Sequence, residues 1–112
     1  MIRVTALIRP HKLEEVKSAI AALGVTGMTV SDVRGSGNNP EKAAQLGGHK
    51  ILISLPIRSK IVICAPDEMQ EDLIETILMS ARTGEPGDGK VFVEKILDSI
   101  RIRTLERGEI GL

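Results

Sequence analysis

Apolar and polar side chains alternate from the start of the chain. Ile2, Val4, Ala6 and Ile8 fall on one side, Arg3, Thr5, Leu7 and Arg9 on the other. A period of two predicts a β-strand with one buried face. Pro10 ends that strand and suits the first turn of a helix. Beyond it Leu13, Val16, Ile20 and Leu23 recur at helical spacing, with Glu14, Glu15, Lys17 and Ser18 off the stripe, and Gly24 supplies a stop. Met28 to Gly35, rich in Thr, Val and Ser, predicts a second strand, and Ile57, Ile61, Ile63 and Ala65 a third. Pro66-Asp67-Glu68 opens another helix, because acidic groups are favoured at the positive end of the helix dipole. Its apolar face is Met69, Leu73, Ile77 and Ala81, it closes at Arg82 and Gly84, and Met69 and Met79 read as core filler. Val91-Phe92-Val93 is a fourth strand. Ile100 and Ile102 alternate with Arg101 and Arg103 in a short final strand or extended tail.

The order βαββαβ, with two helices carrying matching stripes, predicts an α/β (α+β) fold: a ferredoxin-like sandwich in a single domain over residues 1–112. Both helices should cover one face of a largely antiparallel sheet. Leu7, Val33 and Val62 point to the other face, which is expected to be solvated or buried against a second copy.

One segment is too long for this plan. Strands two and three should be joined by a hairpin of about two to five residues, yet about twenty, Ser36 to Pro56, intervene. Ile51-Leu52-Ile53 has β character. Glu41-Lys42-Ala43-Ala44-Gln45-Leu46 is made of helix formers, and Asn39, Pro40 and Gly47 would suit the ends of a short helix. A projecting loop on a small scaffold is a candidate recognition element.

Composition narrows the function. Fifteen basic and fifteen acidic side chains cancel, and Phe92 is the one aromatic residue. A nucleic-acid binder would carry a basic excess and aromatic faces for stacking, so none is expected. No purely apolar run is longer than Ile61 to Ala65, far short of the roughly 20 residues a membrane helix needs. With no apolar leader before Ile2 and a lone cysteine, Cys64, the expectation is a cytoplasmic protein without membrane insertion or internal disulfide.

Chemistry is concentrated in Gly84-Glu85-Pro86-Gly87-Asp88-Gly89-Lys90. Glycines let successive N–H groups converge, and Lys90 adds charge, so this turn can cradle phosphate or serve as ordinary turn chemistry. It is not a P-loop, since no Ser or Thr follows the lysine. Arg101 and Arg103, two apart on an extended segment, would lie on one face about 7 Å apart and suit a polyphosphate. His11 and His49 have no metal-ligand partners in sequence, Cys64 reads as a small hydrophobe, and no nucleophile–base pair is evident. The chain reads as a non-enzyme.

Thr83-Gly84-Glu85-Pro86-Gly87-Asp88-Gly89-Lys90-Val91-Phe92-Val93 resembles the C-terminal signature of the P-II nitrogen-regulatory signalling proteins. Ile8-Arg9-Pro10-His11-Lys12-Leu13, Gly27-Met28-Thr29-Val30, Arg34-Gly35-Ser36-Gly37 and Ile100-Arg101-Ile102-Arg103-Thr104 are similar to further stretches of that family. The resemblance implies a homotrimer with nucleotide sites in the clefts between subunits. It also implies a long loop, 36–55, that docks onto a target protein such as a transporter or metabolic enzyme. In that family ATP and ADP compete for the site, and 2-oxoglutarate joins ATP through magnesium. On this resemblance Gly87, Asp88, Gly89 and Lys90 wrap the phosphates, and Arg101 and Arg103 reach them from a neighbouring subunit. Thr29, Gly35, Ser36, Gly37, Asn38 and Cys64 line the rest of the nucleotide cleft.

Departures from the family pattern matter too. Ile51 stands where the family carries a modified tyrosine, and the chain has no Tyr. His49 replaces a serine phosphorylated in some members. Asn38-Asn39 replaces Arg-Gln, so Asn39 offers a shorter amide toward magnesium and 2-oxoglutarate. Arg58 replaces a lysine that supports the oxoacid, and Val62 a glutamate near the nucleotide. These changes favour adenine-nucleotide binding over 2-oxoglutarate sensing, in a specialised paralogue. Two other readings compete. A trimer sensing a small anion such as bicarbonate would use Arg58 or Lys90. An acylphosphatase-type hydrolase would need a Gly-rich loop after strand one, which Arg9-Pro10-His11-Lys12 lacks.

Overall fold

In the computed structural model, which describes residues 1–25, 27–36 and 55–112 and the backbone of 43–46 and 50–53, the opening alternation becomes strand β1, Ile2–Ile8. Ile2, Val4, Ala6 and Ile8 are buried, while Arg3, Thr5 and Leu7 face the other way. A single 3-10 turn, Pro10–Lys12, leads into helix α1, Leu13–Ala22, whose Val16 and Ile20 enter the core. Strand β2, Thr29–Arg34, and the nine-residue β5, Ile57–Ala65, follow the sequence pattern. Between them Ala43–Leu46 (β3) and Lys50–Ile53 (β4) form their own two-stranded sheet. Helix α2 spans Gln70–Ala81 after a 3-10 turn, Asp67–Met69, and β6 spans Lys90–Lys95.

The main sheet has the order β2-β5-β1-β6 with every pairing antiparallel. This is the ferredoxin-like arrangement. Both helices pack on the face carrying Ile2, Val4, Ile61 and Ile63, and Leu73, Ile77 and Ala81 of α2 close the core. The other face carries Leu7, Val33 and Val62, as their positions in the alternation require, together with Phe92 at 49% exposure. The bidentate Arg3–Glu94 pair ties β1 to β6 across that face.

Four sequence expectations need correction. Residues 43–46 are strand rather than helix, paired from Ala43↔Ile53 to Leu46↔Lys50. The six residues 41–46 are too few to make a stable helix on their own, whereas the β-favouring 51–53 segment offers a ladder that satisfies the backbone of 43–46. Asn39 and Pro40, the expected helix start, lie outside the described residues. Arg101 and Arg103 are in a turn, not a strand: Ile100 bridges Arg107, and the Leu105 N–H donates to the Arg101 carbonyl. The Asp98 carboxylate accepts from the Ser99 and Gly108 amides and from Arg107, a local network that outcompetes extension into a ladder. Met79 is 77% exposed, because it lies on the opposite side of α2 from Leu73 and Ile77. Cys64 is exposed on the helix-free face instead of buried.

Candidate functional site

The turn between α2 and β6 is built around one carboxylate. Asp88 Oδ2 accepts the N–H groups of Thr83 and Gly84, both at 2.9 Å. Its Oδ1 accepts the Thr83 hydroxyl and Arg9 Nε. The Thr83 oxygen accepts in turn the N–H of Glu85. The Thr83 hydroxyl, followed by the Thr83 and Gly84 amides and the Arg9 guanidinium, holds the Asp88 carboxyl well below the usual carboxylate range. Desolvation pushes the other way and is outweighed by these contacts together. Asp88 thus spends its acceptor positions within the protein, and its contribution to any ligand is the shape of the turn. Gly87 and Gly89 take φ values of +100° and +99°, which L side chains rarely adopt.

The turn forms one wall of a cleft of about 510 Å³ at the end of the sheet where β1 and β2 finish. Leu7, Val33 and Phe92 make its apolar floor. Gly87, Asp88, Gly89 and Lys90 line one side, and Gly35, Ser36 and Pro56, at the root of the long loop, line the other. Arg34 and Arg58 add positive charge, and Arg58 Nη1 donates to the Ile57 carbonyl. Arg34, Arg58 and Lys90 thus outnumber the lining carboxylates Glu85 and Asp88 over an apolar base. Such a site suits an anion with an organic body. Gly35, Ser36, Arg58 and the glycine-rich turn, separated by some fifty residues of sequence, are brought together here.

Thr29 and Cys64 are at the other end of the sheet. Thr29 pairs with Val62, and Cys64 with Arg3, so both occupy the far ends of β2 and β5. Six residues of strand, about 20 Å, separate them from Gly35 and Arg58. Lys95, the last residue of β6, pairs with Ile2 at this same far end, and the Ile96 N–H donates to the Met1 carbonyl, so Arg101 and Arg103 follow from there. Arg101 donates to Glu106 and to the carbonyls of Ile110 and Leu112. Arg103 is exposed. The residues expected from sequence to form the site thus fall into two groups in one chain, with Gly35, Arg58 and the glycine-rich turn at one end of the sheet and Thr29 and Cys64 at the other. Gly37, Asn38 and Asn39 lie outside the described residues. Among the described residues no group of three or more His, Cys, Asp or Glu side chains is placed to hold a metal ion. Sequence reasoning missed Arg9 as the partner of the turn, and nothing in an arginine before a proline marks it.

Residues 1–106 match the family described as Nitrogen regulatory protein P-II. The chain belongs to the P-II family. It is 44% identical over 109 residues to the Nitrogen regulatory protein P-II 2 of Methanothermobacter thermautotrophicus, covering 97% of this chain and 95% of that one. It is 37% identical to the Nitrogen regulatory protein P-II 1 of Escherichia coli over the full length of both. The structure is similar to that of Arabidopsis thaliana PII bound to citrate, with a TM-score of 0.78 and 40% identity, covering 99% of this chain and 91% of that one. P-II proteins are non-catalytic signalling proteins that bind adenine nucleotides and small effectors and are typically trimeric regulators of other proteins. Among the described residues no helix is long and apolar enough to cross a membrane.

Proposed function

We propose that this P-II protein binds ATP and ADP at seams between three copies of itself and regulates a transporter or metabolic enzyme through segment 36–55. The separation of the two groups of expected site residues carries this reading. A surface at one end of a chain that needs a different surface at the other end calls for a heterologous contact, and such contacts close into a ring when the rotation between copies completes a full turn. In a ring of three, the turn of one copy (Gly87, Asp88, Gly89 and Lys90) would meet Thr29, Cys64, Arg101 and Arg103 of the next. Five cations would then surround the phosphates: Arg34, Arg58 and Lys90 from one side, and the two arginines from the other. The half-buried Leu7, Val33 and Val62 would be covered by the same association.

Signalling follows from the shared cleft. Phosphate held by the turn stands against Gly35 and Pro56, so ligand identity can bias the segment between them, provided that ATP and ADP bind its conformations unequally. Magnesium would be held chiefly by phosphate oxygens and water, since the described residues offer no carboxylate cluster, with the Asn39 amide as the one further ligand expected from sequence. The Arabidopsis relative with citrate supports a polyanion in this family. Arg58 and Asn39 make 2-oxoglutarate a lesser ligand than the nucleotide. The expected location is the cytoplasm, where these nucleotides are abundant.

Calorimetry with ATP, ADP, AMP and bicarbonate, alongside sedimentation, tests the reading. Saturable ATP and ADP binding by a trimer supports it. A monomer, or no nucleotide binding, overturns it; bicarbonate binding alone would favour a small-anion sensor.

A further inference from the structure

We infer that Arg9 is the positioning residue of the phosphate turn, locking residues 83–90 onto the end of β1 and cancelling the Asp88 charge beside the incoming phosphates. The ligand in this statement rests on the nucleotide reading above; the contact itself does not.

Arg9 follows directly on β1 with extended backbone (φ −64°, ψ 136°), and Pro10 after it fixes the start of the 3-10 turn. The guanidinium is thereby directed away from the sheet and across to the turn. Nε donates to Asp88 Oδ1 at 3.1 Å and Nη2 to the Pro86 carbonyl at 2.6 Å. One side chain thus grips both the backbone and the organising carboxylate of a segment nearly eighty residues away. The pair is largely shielded, with 20% and 23% of the two side chains exposed. Asp88 is required to shape the turn, yet a carboxylate beside Gly87, Gly89 and Lys90 opposes a phosphate. Arg9 removes that conflict without itself lining the cleft. Lysine offers a point charge and cannot hold both acceptors in the same planar fork.

Arg9→Gln and Arg9→Lys, each in the full-length protein, test the inference by two readouts. In the free protein, the Thr83 and Gly84 amide protons, which report the Asp88 contacts, are expected to move upfield and exchange faster in Arg9→Gln, with Arg9→Lys intermediate. By calorimetry, Arg9→Gln should weaken ATP by about tenfold or more, the worth of a charge-assisted contact, and AMP by much less. Unchanged amide signals in both variants overturn the inference, as does equal weakening of ATP and AMP. Should Arg9→Gln fail to fold, Arg9→Lys decides by the same measures. If the unmutated protein binds no nucleotide, the nucleotide reading falls, and the amide readout alone decides whether Arg9 holds the turn.

Discussion

The carbonyl oxygen of Leu7 occupies the place where a side chain on residue 89 would begin. A Cβ built on Gly89 would lie 1.7 Å from that oxygen and 2.7 Å from the carbonyl carbon. Both partners are backbone, so neither can rotate away. Gly89→Ala is expected to force the turn off β1, adding a left-handed residue's strain to the clash. The cost should be about 2–4 kcal/mol in denaturant unfolding, with loss of phosphate binding. Gly84→Ala, also at positive φ but with open space around it, should cost about 1 kcal/mol and leave the cleft intact.

Asp88 gives the fold an acid-sensitive element. Its folded carboxyl titrates below the unfolded value of about 4, so the stabilisation is complete above that value and is lost as pH falls through the lower folded one. Asp88→Asn should therefore lower the urea midpoint clearly at neutral pH. The gap between variant and unmutated protein should close steadily below about pH 4. A gap that stays constant down to acid would show that the charge does not contribute.

The C-terminal segment is fastened by Arg101. With its donors on Glu106, Ile110 and Leu112, Arg101→Ala should free residues 106–112 while leaving the core alone. Hydrogen exchange ought to rise over that stretch, with a change in global stability of at most about 1 kcal/mol, as befits a partly exposed ion pair. A large drop in the unfolding midpoint would mean the segment braces the whole sheet.

Helix α2 has two unequal apolar sides. Leu73 is fully buried, and Leu73→Ala should cost about 2–5 kcal/mol through lost contacts and the cavity left behind. Met79→Gln should fall within about 0.5 kcal/mol of neutral. Thermal unfolding of the two variants side by side checks the assignment of faces.

The elements legible in the sequence were those with a strong period. Ile2 to Ile8, the Leu13–Leu23 stripe and the Leu73–Ala81 stripe each placed their buried faces correctly, because burial on one side forces the repeat. Met79 was misplaced because hydrophobicity alone does not reveal helical phase. Residues 43–46 misled because Ala, Gln and Leu favour helix in isolation, while their partner strand is supplied by 50–53. At the site, glycines and Lys90 announced the turn, and the loop length announced its neighbour. The distance from Thr29 to Gly35 and from Cys64 to Arg58 is implicit in the extended strand that each pair shares, whereas the clamping of the turn by Arg9 depends on topology. No local pattern encodes it.

The Gly35 N–H donates to the Pro56 carbonyl at 3.2 Å, one step beyond the last β2–β5 pair, Arg34↔Ile57. This clasp forms a collar at the neck of the inserted segment, closed by main-chain atoms that owe nothing to the residues beyond it. Whatever is spliced in above the collar inherits the same rigid seat over the cleft. Under the proposed docking role, paralogues can change target by exchanging the insert, with the receiver beneath left unaltered.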